Sequence, residues 1–139
     1  MPPHLTRRSR LHIIAMIGTL AVVAAPAPAQ DNPAKTAYLR YCAACHGETG
    51  KGDGLVSTFL RPKPTDLTQI AKTHGGEFPT AWLTRVIDGR QEVGAHGKAD
   101  MPVWGEVFRE EAGEAPAAEA MVRSKVGLIN EYVRTLQAK

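Results

Sequence analysis

The 139-residue sequence contains few cysteines and few aromatic residues: two cysteines, two tryptophans, three tyrosines and three phenylalanines. Two cysteines are too few for a zinc site built from cysteine, which needs about four ligands. The sequence also lacks an alternating apolar and polar pattern, so it predicts no β-strands. Basic runs interleaved with aromatic residues are missing as well, which argues against nucleic-acid binding. These absences leave a domain of helices and long loops as the predicted fold.

The first 29 residues have the organisation of an export signal. Arg7, Arg8 and Arg10 come first, an apolar run follows over residues 11–25, and "APA" at residues 27–29 supplies the small residues of a cleavage site. The apolar run is shorter than the roughly 20 residues of a membrane-spanning helix. We expect residues 1–29 to be removed on export to the periplasm, leaving 30–139 as one domain. An uncleaved N-terminal anchor is the alternative.

The exported domain is expected to carry no net charge. The leader holds three of the 17 basic residues and none of the 14 acidic ones, so 14 of each remain. A strongly basic or acidic binding surface is therefore not predicted from composition.

Capping residues and apolar periodicity predict an all-α fold for residues 30–139. The expected helices run from Asp31 or Asn32 to His46, from Asp66 to Gly75-Gly76, from a Thr80 cap to Gly89, and from about Pro116 to Gln137. On the last helix, Val122, Val126, Ile129 and Val133 recur at helical spacing. The segments 94–105 and 109–120 are expected to be a loop and a solvated acidic connector.

Two cysteines and a histidine lie within five residues, in the order Cys42-Ala43-Ala44-Cys45-His46. A thioredoxin-like dithiol would need alternating strands and helices, which the sequence lacks. A disulfide over this spacing would be strained and would leave His46 unexplained. Attachment of a c-type haem uses all three residues, because two thiols one helical turn apart can add to the two porphyrin vinyl groups and the next imidazole can bind the iron. One covalent haem c on Cys42, Cys45 and His46 is therefore predicted.

Three segments resemble the class I mono-haem cytochrome c family of bacteria. "CAACHG" with the following "ETGKGDG" is similar to its haem-binding segment, "DMPVWG" (100–105) to its distal-ligand loop, and "LINEYVRTL" (128–136) to its C-terminal helix. The resemblance covers roughly residues 30–139 and is least specific over 61–97. It implies three to five helices and long loops wrapped around one haem, with the first and last helices crossing.

At that crossing the family has a glycine and an aromatic residue, and this sequence has Ala34 and Tyr38 in their places. The alanine would widen the crossing unless Gly127 of the last helix approaches it closely. A merely tolerated glycine at position 127 is the alternative.

The resemblance makes Met101 the expected distal iron ligand. Met101 precedes Pro102, which favours an extended backbone that can carry the side chain inward from a loop. His96 is the rival, and a histidine there would lower the redox potential relative to a methionine. His74 is read as a capping or surface residue and Met121 as core packing.

Several further residues are expected near the haem. A carbonyl oxygen of Pro62 or Pro64 would accept a hydrogen bond from the His46 ring. Trp104 would pack on the porphyrin, bind a propionate or simply lie in the core. The basic residues proposed near the propionates or at a docking surface are Lys51, Arg61, Lys63, Arg85, Arg90 and Lys98.

The expected function is electron transfer. With His46 and Met101 both on the iron, no position is left for a substrate, so the protein is predicted to be a carrier and not an enzyme. Its partners would be redox proteins bound by transient docking. The alternatives are a haem-bearing subunit of an oxidase or dehydrogenase complex, and a haem enzyme or sensor whose distal ligand is displaceable.

Overall fold

A computed structural model describes residues 32–91 and 101–139 of the chain. The predicted export signal lies outside these ranges, as do His96 and Lys98. Within the described ranges, no helix combines the length and the apolar character needed to span a membrane.

All regular structure of the described residues is helical, which confirms the all-α class. The helices are α1 Pro33–Tyr41, α2 Ala43–His46, α3 Ile70–Thr73, α4 Thr80–Ile87, α5 Trp104–Ala112 and α6 Ala118–Thr135, with 3-10 turns at Ser57–Phe59 and Leu67–Gln69. Helices α2 and α3 are single turns, so four longer helices make up most of the regular structure in residues 32–91 and 101–139.

Helix α1 begins where its capping residues predict. The side chain of Asn32 accepts hydrogen bonds from the backbone amides of Ala34 (3.0 Å) and Lys35 (3.2 Å), and Pro33 takes the first position, where its missing amide costs nothing. The predicted helix to His46 is interrupted at Cys42, whose φ of −119° departs from helical geometry. The chain re-enters a helix at once, so α2 continues α1 after a kink.

The short helical segment before Gly75 has the predicted cap, because the Asp66 side chain accepts a hydrogen bond from the Thr68 amide at 2.9 Å. The prediction that Thr80 caps α4 is wrong. Thr80 is the first residue of α4, Pro79 precedes it, and no side-chain hydrogen bond caps the start of the helix. Gly89, with φ +79°, follows the end of α4 as expected.

Helix α5 was not predicted from the sequence. Residues 104–105 were assigned to a loop and residues 109–112 to a solvated connector, yet Trp104–Ala112 is helical and Phe108 is only 1% exposed. Phe108 is buried and Trp104 and Val107 are partly buried, so these apolar side chains form one face, while Glu106 and Glu110 are exposed. Helix α6 then begins at Ala118, two residues later than expected.

Helix α6 lies at the centre of the domain and packs against α1, α4 and α5. Its predicted apolar face is buried: Val122, Val126, Ile129 and Val133. Met121 is 45% exposed, so its assignment to the core is wrong.

The first and last helices, for which a crossing was expected, are in contact, because α1 packs on α6. Ala34 and Tyr38 are buried there, and the Tyr38 ring lies 4.9 Å from that of Tyr132. Gly127 is exposed, and a Cβ built on it meets no atom within 4 Å. Close approach through Gly127 is therefore wrong, and the glycine is a tolerated one.

Candidate functional site

The two cysteines lie on one turn at the junction of α1 and α2. The backbone amides of Cys45 and His46 donate to the Cys42 carbonyl at 3.2 and 2.9 Å, so the three residues share one tight turn. Both thiols are free, with Cys42 buried and Cys45 partly exposed. Burial raises the pKa of the Cys42 thiol to about 12, and the neighbouring Cys45 adds to the shift. The turn thus presents two free thiols, and that of Cys42 is protonated at neutral pH.

The His46 ring is buried, with 7% of the residue exposed, and has a fixed orientation. Its Nδ1 atom lies 3.0 Å from the carbonyl oxygen of Thr65. Because a carbonyl oxygen only accepts, Nδ1 carries the proton, and in the neutral ring the lone pair is then on Nε2. This is the hydrogen bond expected from Pro62 or Pro64, but the carbonyl belongs to the residue after Pro64.

The loop after α2 is held against the segment that supplies this carbonyl. The amide of Leu67 donates to the Gly50 carbonyl at 2.6 Å. Gly52 has φ +73°, and a Cβ on it would lie 2.2 Å from the Pro64 carbonyl oxygen. Only glycine combines that conformation with so close an approach, so the glycines after His46 position the histidine's partner.

Two adjoining cavities meet at these residues. The lining of the first includes Tyr41, Cys45, Leu60, Pro62, Pro64 and Trp104. The lining of the second includes Ile70, Trp82, Leu83, Val86, Ile87 and Val133. Cys42, His46 and Met101 line both cavities. Apart from the motif residues, the walls are almost entirely apolar, as in pockets for large flat ligands.

Met101, the predicted distal ligand, lies at the meeting point of the two cavities with His46. It is partly buried and stands three residues before Trp104, the first residue of α5. Trp104 packs beside Phe108, with ring centroids 5.7 Å apart, and edge-on to Tyr41 at 5.4 Å. The unpredicted helix α5 therefore anchors the segment that carries Met101. The rival ligand His96 lies outside the described residues.

The remaining predicted residues lie elsewhere. His74 lines neither cavity; it directly follows α3, and its Nδ1 atom lies 2.8 Å from the carbonyl oxygen of Ile70 in that helix, which is the expected capping role. Arg90 pairs with Asp88. Arg61 donates to two carbonyls of its own loop. Lys51, Lys63 and Arg85 are exposed.

Sequence reasoning missed three contributors to the site. Tyr41 lines the first cavity directly before Cys42, and Leu60 lines it from the segment after the 3-10 turn. The Thr65 carbonyl has no side-chain signature and could not be read from residue types. Tyr41 did carry a signal, since it lies four residues before Cys45 on the helical period.

The donor set fits a flat apolar macrocycle better than a bare metal ion. No group of three or more His, Cys, Asp or Glu residues in the described ranges is arranged to hold a metal. Two thiols on one turn, one oriented imidazole and one thioether instead share apolar cavities, and these are the ligand types of a c-type haem.

Comparison of the chain with protein-family models, curated proteins and solved structures gives no significant match. The interpretation of the site therefore depends on the residues described above.

Proposed function

We propose that the protein is a periplasmic mono-haem c-type cytochrome of class I that carries single electrons between redox proteins. One observation carries this proposal: the same pair of apolar cavities is lined by Cys42, His46 and Met101. Met101 is distant in sequence from the other two residues, and the three side chains are a thiol, an imidazole and a thioether. The hydrogen bond between His46 and the Thr65 carbonyl supports it, because such bonds orient metal-binding imidazoles and raise their basicity.

Each residue has a defined role in this proposal. Cys42 and Cys45 would hold the haem by thioether bonds, and Nε2 of His46 and the sulfur of Met101 would bind its iron. When bound, the haem supplies an iron that alternates between the ferric and ferrous states. A thioether ligand favours the ferrous state, so Met101 would set a higher potential than a second histidine.

The chain's own contribution is to exclude water and substrates. Leu83, Ile87 and Val133 are buried in the wall of the second cavity, which keeps that side dry. With His46 and Met101 both binding the iron, a substrate would have no place on it. Electron transfer through a transient protein contact is the activity that such a site supports.

Optical spectroscopy of the protein from a host competent in cytochrome maturation tests the proposal. We expect the sharp visible bands of a reduced c-type cytochrome, and bands in alkaline pyridine that indicate two thioether bonds. Cys42→Ala with Cys45→Ala should give a chain without covalent haem. A colourless chain from the unaltered gene would disprove the proposal.

The distal ligand is tested by Met101→Ala, with Met121→Ala as the matched control because Met121 lies exposed on α6. Met101→Ala should abolish the weak far-red iron–sulfur band of the ferric protein, and Met121→Ala should leave it unchanged. Persistence of the band in Met101→Ala would make the assignment wrong. Carbon monoxide binding to the unaltered reduced protein would instead favour an enzyme or sensor with a displaceable ligand.

A further inference from the structure

Residues 59–64 include one wall of the first cavity. Leu60, Pro62 and Pro64 line the cavity. Phe59, Arg61 and Lys63, which alternate with them in sequence, are exposed, and Pro62 is exposed as well. The exposed side chains of this segment form the outer face of the wall. A molecule that contacts the outer face therefore lies against the segment that lines the cavity.

The outer face carries a large aromatic side chain that the fold does not use. Phe59 is 84% exposed, and Leu55, four residues earlier, is 88% exposed. The other exposed large apolar residues of the described ranges, Leu39, Val103 and Met121, are between 36% and 45% exposed. An aromatic side chain that projects this far gains burial only from another molecule, and such residues commonly anchor protein interfaces.

The charge around Phe59 is positive. The Arg61 guanidinium donates to the carbonyls of Thr58 (3.1 Å) and Leu60 (2.8 Å), which holds it beside Phe59. Lys63 is exposed, and neither cation forms an ion pair with a described residue. No acidic residue occurs between Thr58 and Thr65. The next acidic residue, Asp66, accepts a hydrogen bond from the Thr68 amide. A complementary surface would be apolar at its centre and acidic at its rim.

We infer that the outer face of residues 59–64 docks a redox protein that presents an apolar depression bordered by carboxylates. The inference rests on the proposed function, since it names the partner surface of the same site. Phe59 enters the depression, and Arg61 and Lys63 pair with the carboxylates. A protein partner is favoured over a lipid surface, because this face is the outside of the cavity wall and places a bound redox centre next to the cavity.

A binding experiment on the reduced, isotope-labelled holoprotein tests this surface. The probes are poly-glutamate and a random copolymer of glutamate and tyrosine, which adds aromatic groups to the same carboxylates. We expect the copolymer to shift the backbone amide signals of Phe59, Leu60, Arg61 and Lys63 more than those of α6. It should also bind more tightly than poly-glutamate.

The chain offers matched controls for both parts of the surface. Phe59→Ala should weaken copolymer binding about fivefold, in the range of a modest interface anchor, and leave poly-glutamate binding unchanged. Met121→Ala, an exposed apolar truncation outside the wall, should change neither. Lys63→Glu should weaken binding of both polymers more than Lys35→Glu, which makes the same charge change on α1. Equal effects within either pair would overturn the inference.

Two further measurements separate the remaining outcomes. The first is binding to vesicles that contain phosphatidylglycerol. If the protein binds these vesicles, Phe59→Ala abolishes that binding, and the copolymer does not bind, the surface faces lipid and the proposal of a protein partner is overturned. The visible spectrum of the same sample reports the haem independently. Covalent haem without copolymer binding defeats the docking surface alone, whereas a colourless sample defeats the proposed function.

Discussion

The Nδ1 atom of His46 lies 3.0 Å from the carbonyl oxygen of Thr65, which joins the cysteine motif to the proline-containing wall of the cavity. The position of this carbonyl depends on Gly52, because a Cβ there would lie 2.2 Å from the neighbouring Pro64 oxygen. The geometry of the histidine is thus set by a glycine six residues after it.

Gly52→Ala should displace the Pro64–Thr65 backbone and weaken the hydrogen bond to His46. We expect a loss in the free energy of unfolding of about 3 kcal/mol, from the positive φ and the clash together. Urea unfolding of the holoprotein measures it. Gly75→Ala is the control, because Gly75 has the same φ of +73° but no atom within 4 Å of its Cβ. Its cost should be about 1 kcal/mol; an equal cost for both variants would contradict this account.

Tyr38→Phe should destabilise the protein by about 1 to 2 kcal/mol. The Tyr38 hydroxyl is fully buried and donates to the Gly47 carbonyl at 2.7 Å, so its removal leaves a buried carbonyl without that partner. Tyr132→Phe, on the partly exposed ring packed against Tyr38, should cost less than about 0.5 kcal/mol. Thermal unfolding of both variants at neutral pH compares them.

The same tyrosine predicts how stability changes at alkaline pH. Burial, with smaller contributions from nearby groups, raises the pKa of Tyr38 well above its usual range. The unfolded chain then releases the phenol proton near pH 10 while the folded chain retains it, so stability is present below pH 10 and falls above it. The loss should approach about 1.4 kcal/mol per pH unit. Tyr38→Phe should lack this component, so its deficit relative to the unaltered protein should shrink as the pH rises past 10.

Local signals in the sequence were sufficient to predict that α1, α4 and α6 exist, although not every boundary. Asn32 caps α1 through its own side chain, and the valines of α6 follow the helical period. The two wrong predictions on α6, a buried Met121 and a close approach at Gly127, have one cause. Met121 and Gly127 each lie one residue from a buried valine, and one residue turns a helix by about 100°, which is enough to move a side chain from the core to solvent.

The parts of the site that the sequence did not predict depend on contacts between distant segments. Helix α5 was read as a loop and connector because charged residues dominate its second half, although Trp104, Val107 and Phe108 carry the spacing of one face. Which carbonyl meets His46 depends on how the prolines place the backbone, and the prediction missed it by one residue. Cys42, His46 and Met101 were named from residue type and resemblance, and the structure brings them together.

Glu111→Gln should lower the thermal midpoint at neutral pH, and the difference should vanish in acid. Glu111 accepts hydrogen bonds from Lys125 and from the Tyr41 hydroxyl (2.9 Å). The hydrogen bond from Lys125, followed by that from Tyr41, lowers the pKa of the Glu111 carboxyl. Its contribution is therefore present above the unfolded pKa of about 4.3 and is lost as the pH falls through the lower folded value.

Melting curves of Glu111→Gln between pH 7 and pH 3 measure this dependence. Glu114→Gln is the control, because Glu114 is exposed and has no ion pair among the described residues. Its midpoint should follow that of the unaltered protein at every pH. If the thermal midpoint of Glu111→Gln differs from that of the unaltered protein by the same amount down to pH 3, ionisation of Glu111 does not contribute to stability.

Phe108→Ala should be the most destabilising of these substitutions. Phe108 is 1% exposed and packs against Tyr41 and Trp104, two residues that line the first cavity. The truncation should cost about 3 to 5 kcal/mol, because it removes buried apolar area and leaves a cavity. Phe59→Ala makes the same chemical change on an exposed side chain and should stay within about 0.5 kcal/mol of the unaltered protein. Urea unfolding of both holoproteins gives the comparison. Similar costs for the two variants would mean that α5 does not pack where the structure places it, and the anchor proposed for the Met101 segment would be lost with it.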